Sequence, residues 1–271
     1  MMQKEIDVTA LGELLIDFTE NGVSSQGNAL LEANPGGAPC NVLAMLGKLG
    51  KKTAFIGKVG NDQFGNMLRN TIESVGIDAE GLVIDDKVHT TLAFVHTYPD
   101  GDRDFSFYRN PGADMMLRKE EVSLEKICAS KIFHFGTLSF THAGIRTASQ
   151  YAIQCAKEAG ALISFDPNLR EPLWENLEDA RKAIEYGMEC CDILKISDNE
   201  LTFMTGEKDY DKGAVLLQQK YQIPLVCVTL GKDGSRAYYK GLTIKAEPFL
   251  QKNTIETTGA GDTFTGCMLN T

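Results

Sequence analysis

The sequence is short of positive charge, of aromatic residues and of long apolar runs, and each shortage excludes something. Lys and Arg number 27 against 37 Asp and Glu, a formal net charge of −10 over 271 residues. No basic cluster offsets this balance, so neither nucleic acid nor an anionic membrane is an expected partner. Any phosphate must be held by local geometry instead of a general positive field. No apolar run approaches membrane-spanning length, and the opening MMQKEIDVTALGELL lacks a signal-peptide pattern. The seven cysteines show no CxxC or Cys/His zinc spacing. His89, His96, His134 and His142 form no ligand set, and a structural role is expected for all four. A soluble protein of the reducing cytoplasm is the expectation. A GxxxxGK[ST] loop is missing too, which excludes a Walker-type phosphate cradle.

What is present is aliphatic and alternating. Hydrophobic residues make up 43% of the chain and aromatics only 8%, a balance suited to a buried parallel sheet between helices. Short β-branched runs alternate with amphipathic segments. NVLAMLGKLG (41–50) reads as a helix, TAFIGKVG as a strand, and DQFGNMLRNTIESVG as a helix opened by Asp62 and closed by Gly76. Strand KIFHFG, a helix to Gly160, strand ALISFD, helix 177–190, strand DILKIS, helix 209–220 and strand PLVCVTLG follow. That order predicts an α/β fold with a doubly wound, mostly parallel sheet and ligands beyond the carboxyl ends of the strands. Two strand-like stretches have no helix beside them: about 13–33, and 88–112 with a hairpin around Pro99-Asp100-Gly101. Both are expected to leave the main sheet and form a small β-lid.

Two glycine motifs carry the chemistry. In TTGAGDTF (257–264), Gly259, Ala260 and Gly261 leave successive backbone N–H groups free to converge at a helix start. Such donors, aided by the helix dipole, make an anion hole. Asp262 follows directly and could take the proton of an incoming hydroxyl as phosphorus is attacked. In NPGGAPCN (34–41), Gly36 and Gly37 permit close backbone approach, and Asn41 offers both donors and an acceptor to sugar hydroxyls. Either motif alone could be an ordinary helix cap or turn. Their pairing is what gives them weight.

Together, GGAPCN near the start and TTGAGDTFTG near the end resemble the two signatures of the ribokinase-like, or PfkB, carbohydrate kinase family, over the full length of the chain. GELLIDF, FYRNPGADMML, FDPNLREPLW and LKISDNE look most like bacterial and plant fructokinases, and 2-keto-3-deoxygluconate kinases share several of these phrases. The resemblance implies one PfkB-type kinase domain over 1–271, phosphorylating fructose at the expense of ATP with Mg²⁺, with a homodimer formed through the lid. It implies Asp262 as base and Gly259, Ala260 and Gly261 as anion hole. Asp17, Gly36, Gly37 and Asn41 would bind sugar hydroxyls, with Arg109 reaching in from the lid. Asn168 and Arg170 would lie near the phosphates or the far end of the sugar; from its own place at the end of an apolar strand, Asp166 is expected to brace Arg170. Lys195 and Glu200 would face the phosphates, Glu200 organising magnesium through water, and Thr229 and Gly231 would line the nucleotide groove.

The chain also departs from the family pattern. Ser197 stands where N-x-x-E has Asn, and Glu256 replaces the usual Asp at a position that helps hold a monovalent cation in relatives, which bears on potassium dependence. Relatives also continue for several tens of residues beyond the GAGD helix. Either the chain is a fragment or its nucleotide site is incomplete. A 2-keto-3-deoxygluconate kinase and a non-catalytic sugar- or nucleotide-binding protein on the same scaffold remain the alternatives.

Overall fold

A computed structural model describes residues 4–97, 103–249 and 258–270. The chain opens with β1 (Ile6–Leu11), then β2 (Leu15–Val23) and β3 (Ala29–Gly36), and enters α1 (Ala38–Lys48). Next come β4 (Thr53–Gly60), α2 (Gln63–Ser74), β5 (Ile77–Asp85), and the pair β6 (Leu92–Thr97) and β7 (Arg103–Tyr108). A second run of α/β units follows: α3 (Leu124–Cys128), β8 (Ser130–Gly136), α4 (Ala143–Glu158), β9 (Leu162–Asp166), α5 (Leu177–Cys190) and β10 (Ile193–Ser197). The chain continues through α6 (Asp198–Thr205), α7 (Tyr210–Tyr221), β11 (Leu225–Thr229), β12 (Ser235–Tyr239), β13 (Leu242–Ala246) and α8 (Ala260–Met268).

Nine strands pair in the order β13-β12-β11-β10-β9-β8-β1-β4-β5, parallel from β11 to β5 and antiparallel at the β11–β12–β13 end. All eight residues of β4 are buried, the mark of a strand covered on both faces. Two apolar clusters share the space around this sheet. One gathers Phe133, Phe135 and Phe165 with α4, α5 and α7, and the other packs Val8, Phe55 and Leu68 with α1 and α2. The strand and helix expectations for 53–60 and 177–190 coincide with the observed elements. Asp62 caps α2 by accepting from Gly65 N at 2.8 Å.

Several elements differ from the sequence reading. Helix α1 begins at Ala38 rather than near residue 41, because Pro39 fits its first turn. Strands β1 and β5, helices α3 and α6 and the hairpin β12–β13 are additions to the expected order. Every residue of β13 is exposed, so no apolar alternation announces it.

The lid is a separate four-stranded sheet in the order β3-β2-β6-β7. Strand β2 pairs antiparallel with β3 and parallel with β6, and β6 pairs antiparallel with β7. Phe18 of β2 stacks on Phe94 of β6 and meets Phe64 of α2 edge-on, which seats one lid face on the large layer. The Pro99-Asp100-Gly101 tip lies outside the described residues.

Candidate active site

Two cavities meet between the lid and the carboxyl ends of the large sheet's strands. The first, of about 350 Å³, is lined by Glu13, Asp17, Gly37, Asn41, Phe107, Leu138, Asn168, Arg170, Lys195 and Asp262, among others. A second, of about 360 Å³, runs on past Asn168, Arg170 and Lys195 to Ser197, Glu200 and Phe203. Lys195 and Arg170 therefore stand at the junction, with acidic and hydroxyl-seeking groups on one side.

Asp262 sits in the first turn of α8, whose N-cap Gly259 takes the left-handed φ of 75°. The first-turn N–H groups of such a helix have no partners within it and are available to an anion, and Gly259 and Gly261 line the first cavity. Both carboxylate oxygens of Asp262 are held. Asn41 Nδ2 donates to Oδ2 at 2.8 Å, and Asn168 Nδ2 donates to Oδ1 at 3.2 Å. Asn41 reaches because α1 lies against α8: a Cβ on Gly266 would meet Met45 Cβ at 2.8 Å. Burial raises the Asp262 pKa above the usual carboxylate value, and nearby Asp166 adds to the rise. The hydrogen bond from Asn41 and the charges of Lys195 and Arg170 oppose it in part. A carboxylate so placed is a stronger base than a solvated one and is already aimed.

Lys195, at 6% exposure, ends its reach beside Asp166, Nζ to Oδ2 at 3.1 Å. Burial alone would lower its pKa, but Asp166, Glu200 and Asp262 outweigh burial and hold it above the usual lysine value. A Cβ on Gly261 would lie 3.0 Å from Lys195 Nζ, which places the ammonium against the backbone of the glycine turn. The expectation that Asp166 braces Arg170 is corrected here. Its partners are Lys195 and Thr265 Oγ1, because β9 and β10 are neighbours and Asp166 and Lys195 both lie toward the carboxyl ends of these strands.

Glu200 lines the second cavity and also holds its own helix and the neighbouring loop. Its Oε2 accepts from Ser197 N and Ser197 Oγ, closing a capping box on α6, and its Oε1 accepts from Leu169 N at 2.8 Å. Ser197 in place of Asn is therefore the N-cap residue. The Leu169 bond pins the loop in which Asn168 takes a positive φ of 46°. Glu200 thus acts on Asp262 through Asn168.

Arg109 lines neither cavity. Its guanidinium is committed to Asp114, Thr141 and the Leu138 carbonyl, beneath the lid instead of against either cavity. Thr229 and Gly231 stand at and just past the carboxyl end of β11, one strand beyond Lys195, and line neither cavity. Gly36 borders an adjoining cavity of about 330 Å³ with Asp17 and Asn41. Glu256 lies outside the described residues. Of the histidines, His134 is buried against Ser164 Oγ, with its pKa lowered to about 4 by burial and by Lys195. His142 caps α4 through Gly144 N, and His89 and His96 are largely exposed.

The sequence reading missed Glu13 and Asp114. Glu13 Oε1 accepts from Ala38 N at 2.9 Å, at the start of α1, and burial pushes its pKa up to about 7. Gly37, which precedes that N–H, has φ 118° and no room for a side chain, since a Cβ would lie 2.4 Å from Glu13 O. The available signal was a charged residue inside an apolar run: Glu13 in LGELLI and Asp114 in GADMM.

Residues 5–271 match the pfkB family of carbohydrate kinases, and the chain belongs to that family. Among its curated relatives is the probable fructokinase-2 of Arabidopsis thaliana, 46% identical over 266 residues that cover 97% of this chain and 80% of the relative. Among solved structures, the Xylella fastidiosa fructokinase with bound ATP superposes with a TM-score of 0.88 at 31% identity, covering 98% of this chain and 81% of the other. A Vibrio cholerae fructokinase double mutant, in a form with fructose, ADP and potassium ion bound, gives a TM-score of 0.88 at 30% identity. That match covers all of this chain and 84% of the other. The fold is ribokinase-like, and the chain is a sugar kinase in class.

Proposed function

We propose that this protein is an ATP-dependent fructokinase, transferring the γ-phosphoryl group to the 6-hydroxyl of D-fructose. The observation that carries the reading is Asp262 with its setting: held by Asn41 and Asn168, in the first turn of a helix whose Gly259 and Gly261 line the same cavity. Fructose would occupy the space walled by Asp17, Gly37, Asn41, Phe107 and Leu138. The triphosphate would lie along Arg170 and Lys195 toward the second cavity. Asp262 accepts the proton of the attacking hydroxyl as the new P–O bond forms and ADP departs with the electron pair of the broken bond. The helix N-terminus, Lys195 and Arg170 balance the charge on the phosphoryl oxygens, so the protein's contribution is positioning and electrostatics.

Among the described residues no group of three or more His, Cys, Asp or Glu side chains is gathered as a metal site. Magnesium would arrive on the triphosphate, and Glu200 is the residue that would organise its water shell. Bound there, the ion would neutralise phosphate charge. Potassium belongs to the proposal through the fructose-, ADP- and potassium-bound relative.

The acceptor's charge separates fructose from 2-keto-3-deoxygluconate. The sugar end of the cavity carries Glu13 and Asp17, and the nearby cation Arg109 is already paired with Asp114. A neutral polyol suits that end and a carboxylate does not. All seven cysteines are unpaired and no helix among the described residues is long and apolar enough to cross a membrane, which supports a cytoplasmic location. Exposed Val23, Leu30 and Tyr108 on the lid support a homodimer through it.

The test is ADP release with Mg-ATP across fructose, 2-keto-3-deoxygluconate, ribose and adenosine, with Asp262→Asn alongside. Turnover on fructose that falls on the order of 10²–10⁴-fold in the variant is expected. Preference for the sugar acid, or nucleotide binding without transfer to any acceptor, would overturn the reading.

A further inference from the structure

The backbone passes between the large sheet and the lid four times: at residues 12–14, at Gly36–Gly37, at 86–91 and after Tyr108. Carboxylates tie these passages down. Glu13 joins the first to the second through Ala38 N. Asp62, from the cap of α2, accepts from Thr90 N and Thr90 Oγ1, both at 2.8 Å, where the chain rises into β6. Asp114 joins the third passage to the fourth. Its Oδ1 accepts from Thr91 Oγ1 at 2.5 Å, and its Oδ2 accepts from Arg109 Nε and Nη2 at 2.8 and 2.6 Å.

Arg109 then carries the tie into the large layer. Its Nη1 donates to Thr141 Oγ1 at 2.8 Å and its Nη2 to the Leu138 carbonyl at 3.2 Å. Thr141 Oγ1 itself donates to that same carbonyl. The side chains of Arg109 and Asp114 are 3% and 2% exposed, so a ligand has almost no surface of either to touch. What they hold does touch the cavity: Leu138 lines it, and so does Phe107, two residues before Arg109 on β7.

We propose that Arg109 is a positioning residue, which with Asp114 fixes the lid sheet to the large sheet and so sets Phe107 and Leu138 against the sugar. The proposal rests on the cavity being the sugar site. The planar fork of the guanidinium meets one carboxylate and two oxygens of the Leu138–Thr141 turn at once, a geometry that no single ammonium reproduces. Displacing a wall of the sugar space by about an ångström is worth up to 10²-fold in reaction of the sugar.

The experiment measures kcat, KM for fructose and KM for ATP in Arg109→Met, Thr141→Val and Thr91→Val, using fructose and a set of its monodeoxy analogues. Thr91→Val removes one hydrogen bond and Thr141→Val two, and both carry the test should Arg109→Met fail to fold. The expected result is a raised sugar KM, on the order of 10-fold to 10²-fold for Arg109→Met and less for the threonine variants, with ATP KM unchanged. The factor should be the same for fructose and for every deoxy analogue, because no hydroxyl is contacted. An effect that vanishes for one analogue would show a direct hydroxyl contact and overturn the proposal, as would an unchanged sugar KM. Wild-type protein without turnover on any sugar would refute the functional reading instead. The lid tie is then read by hydrogen exchange at β6 and β7, expected to quicken in Arg109→Met and Thr141→Val, and the proposal is overturned if it does not.

Discussion

Replacing Glu13 by Gln should make the protein more stable at neutral and alkaline pH and flatten its stability profile. The carboxyl is buried beneath the lid, with Oε1 already accepting from Ala38 N, and a Gln carbonyl can keep that bond. Burial raises its pKa from the ordinary 4.5 to about 7, with Asp114 adding to the rise and Arg109 and two backbone N–H groups opposing it. Cys40 also faces it, and burial together with Glu13 pushes that thiol well up. The folded state therefore holds a proton on Glu13 that the unfolded chain releases near pH 4.5. Stability from this group is full below that pH and is lost as pH rises through 7. A tenfold difference in proton affinity between the two states is worth about 1.4 kcal/mol, so the loss comes to about 2.5 kcal/mol between pH 5 and pH 8. Urea denaturation of the wild type and Glu13→Gln at half-unit steps over that range measures it. The difference between the two curves cancels the other titrating groups. Parallel curves, or a variant less stable than wild type at pH 8, would refute the reasoning.

Further outcomes follow from the same geometry. Lys195→Met leaves Asp166 buried without its cation and should cost about 3–5 kcal/mol in a denaturant melt, together with a fall in kcat. Gly37→Ala forces a Cβ toward Glu13 O at a φ of 118°, and should destabilise by about 1–3 kcal/mol while raising sugar KM in steady-state kinetics. Glu200→Ala orphans Leu169 N and Ser197 N, a loss of about 1–3 kcal/mol each if they stay dry. Because it frees the Asn168 loop, its kcat should fall even with saturating Mg²⁺, whereas a purely metal-organising Glu200 would be rescued by excess metal.

Strand β4 and strands β8 to β11 of the large sheet were legible because buried parallel strands advertise themselves. TAFIGKVG and DILKIS are apolar on both faces, and helix 177–190 shows its apolar stripe plainly. The lid was legible by default, as strand-like sequence without helices beside it, but its strand order was not. Strand β13 stayed hidden because LTIKA is exposed throughout, and nothing in such a pattern separates strand from loop. At the site, Asp262 and the glycines before it could be found because their spacing is local. What each polar group bonds was not local. Asp166 pairs with Lys195 across adjacent strands, Asn41 meets Asp262 from 221 residues away, and Glu200 closes its own helix cap while reaching back to Leu169. A carboxylate's type can be read from one dimension, but its partner is set by strand order and helix packing.

The parallel pairing of β2 with β6 has a consequence for how the protein comes into being. It joins Asp17 to Ala93, and α1, β4, α2 and β5 lie between them in the chain. Neither lid hairpin has enough neighbours to persist alone in water. Closing so long a loop must wait until the intervening βα units have compacted. A chain emerging from the ribosome would thus build the scaffold of its first half with the cavity beneath the lid still roofless. The roof would come only when the second hairpin arrives. Competence to bind the acceptor then reports completed folding, not merely the presence of the residues that touch it.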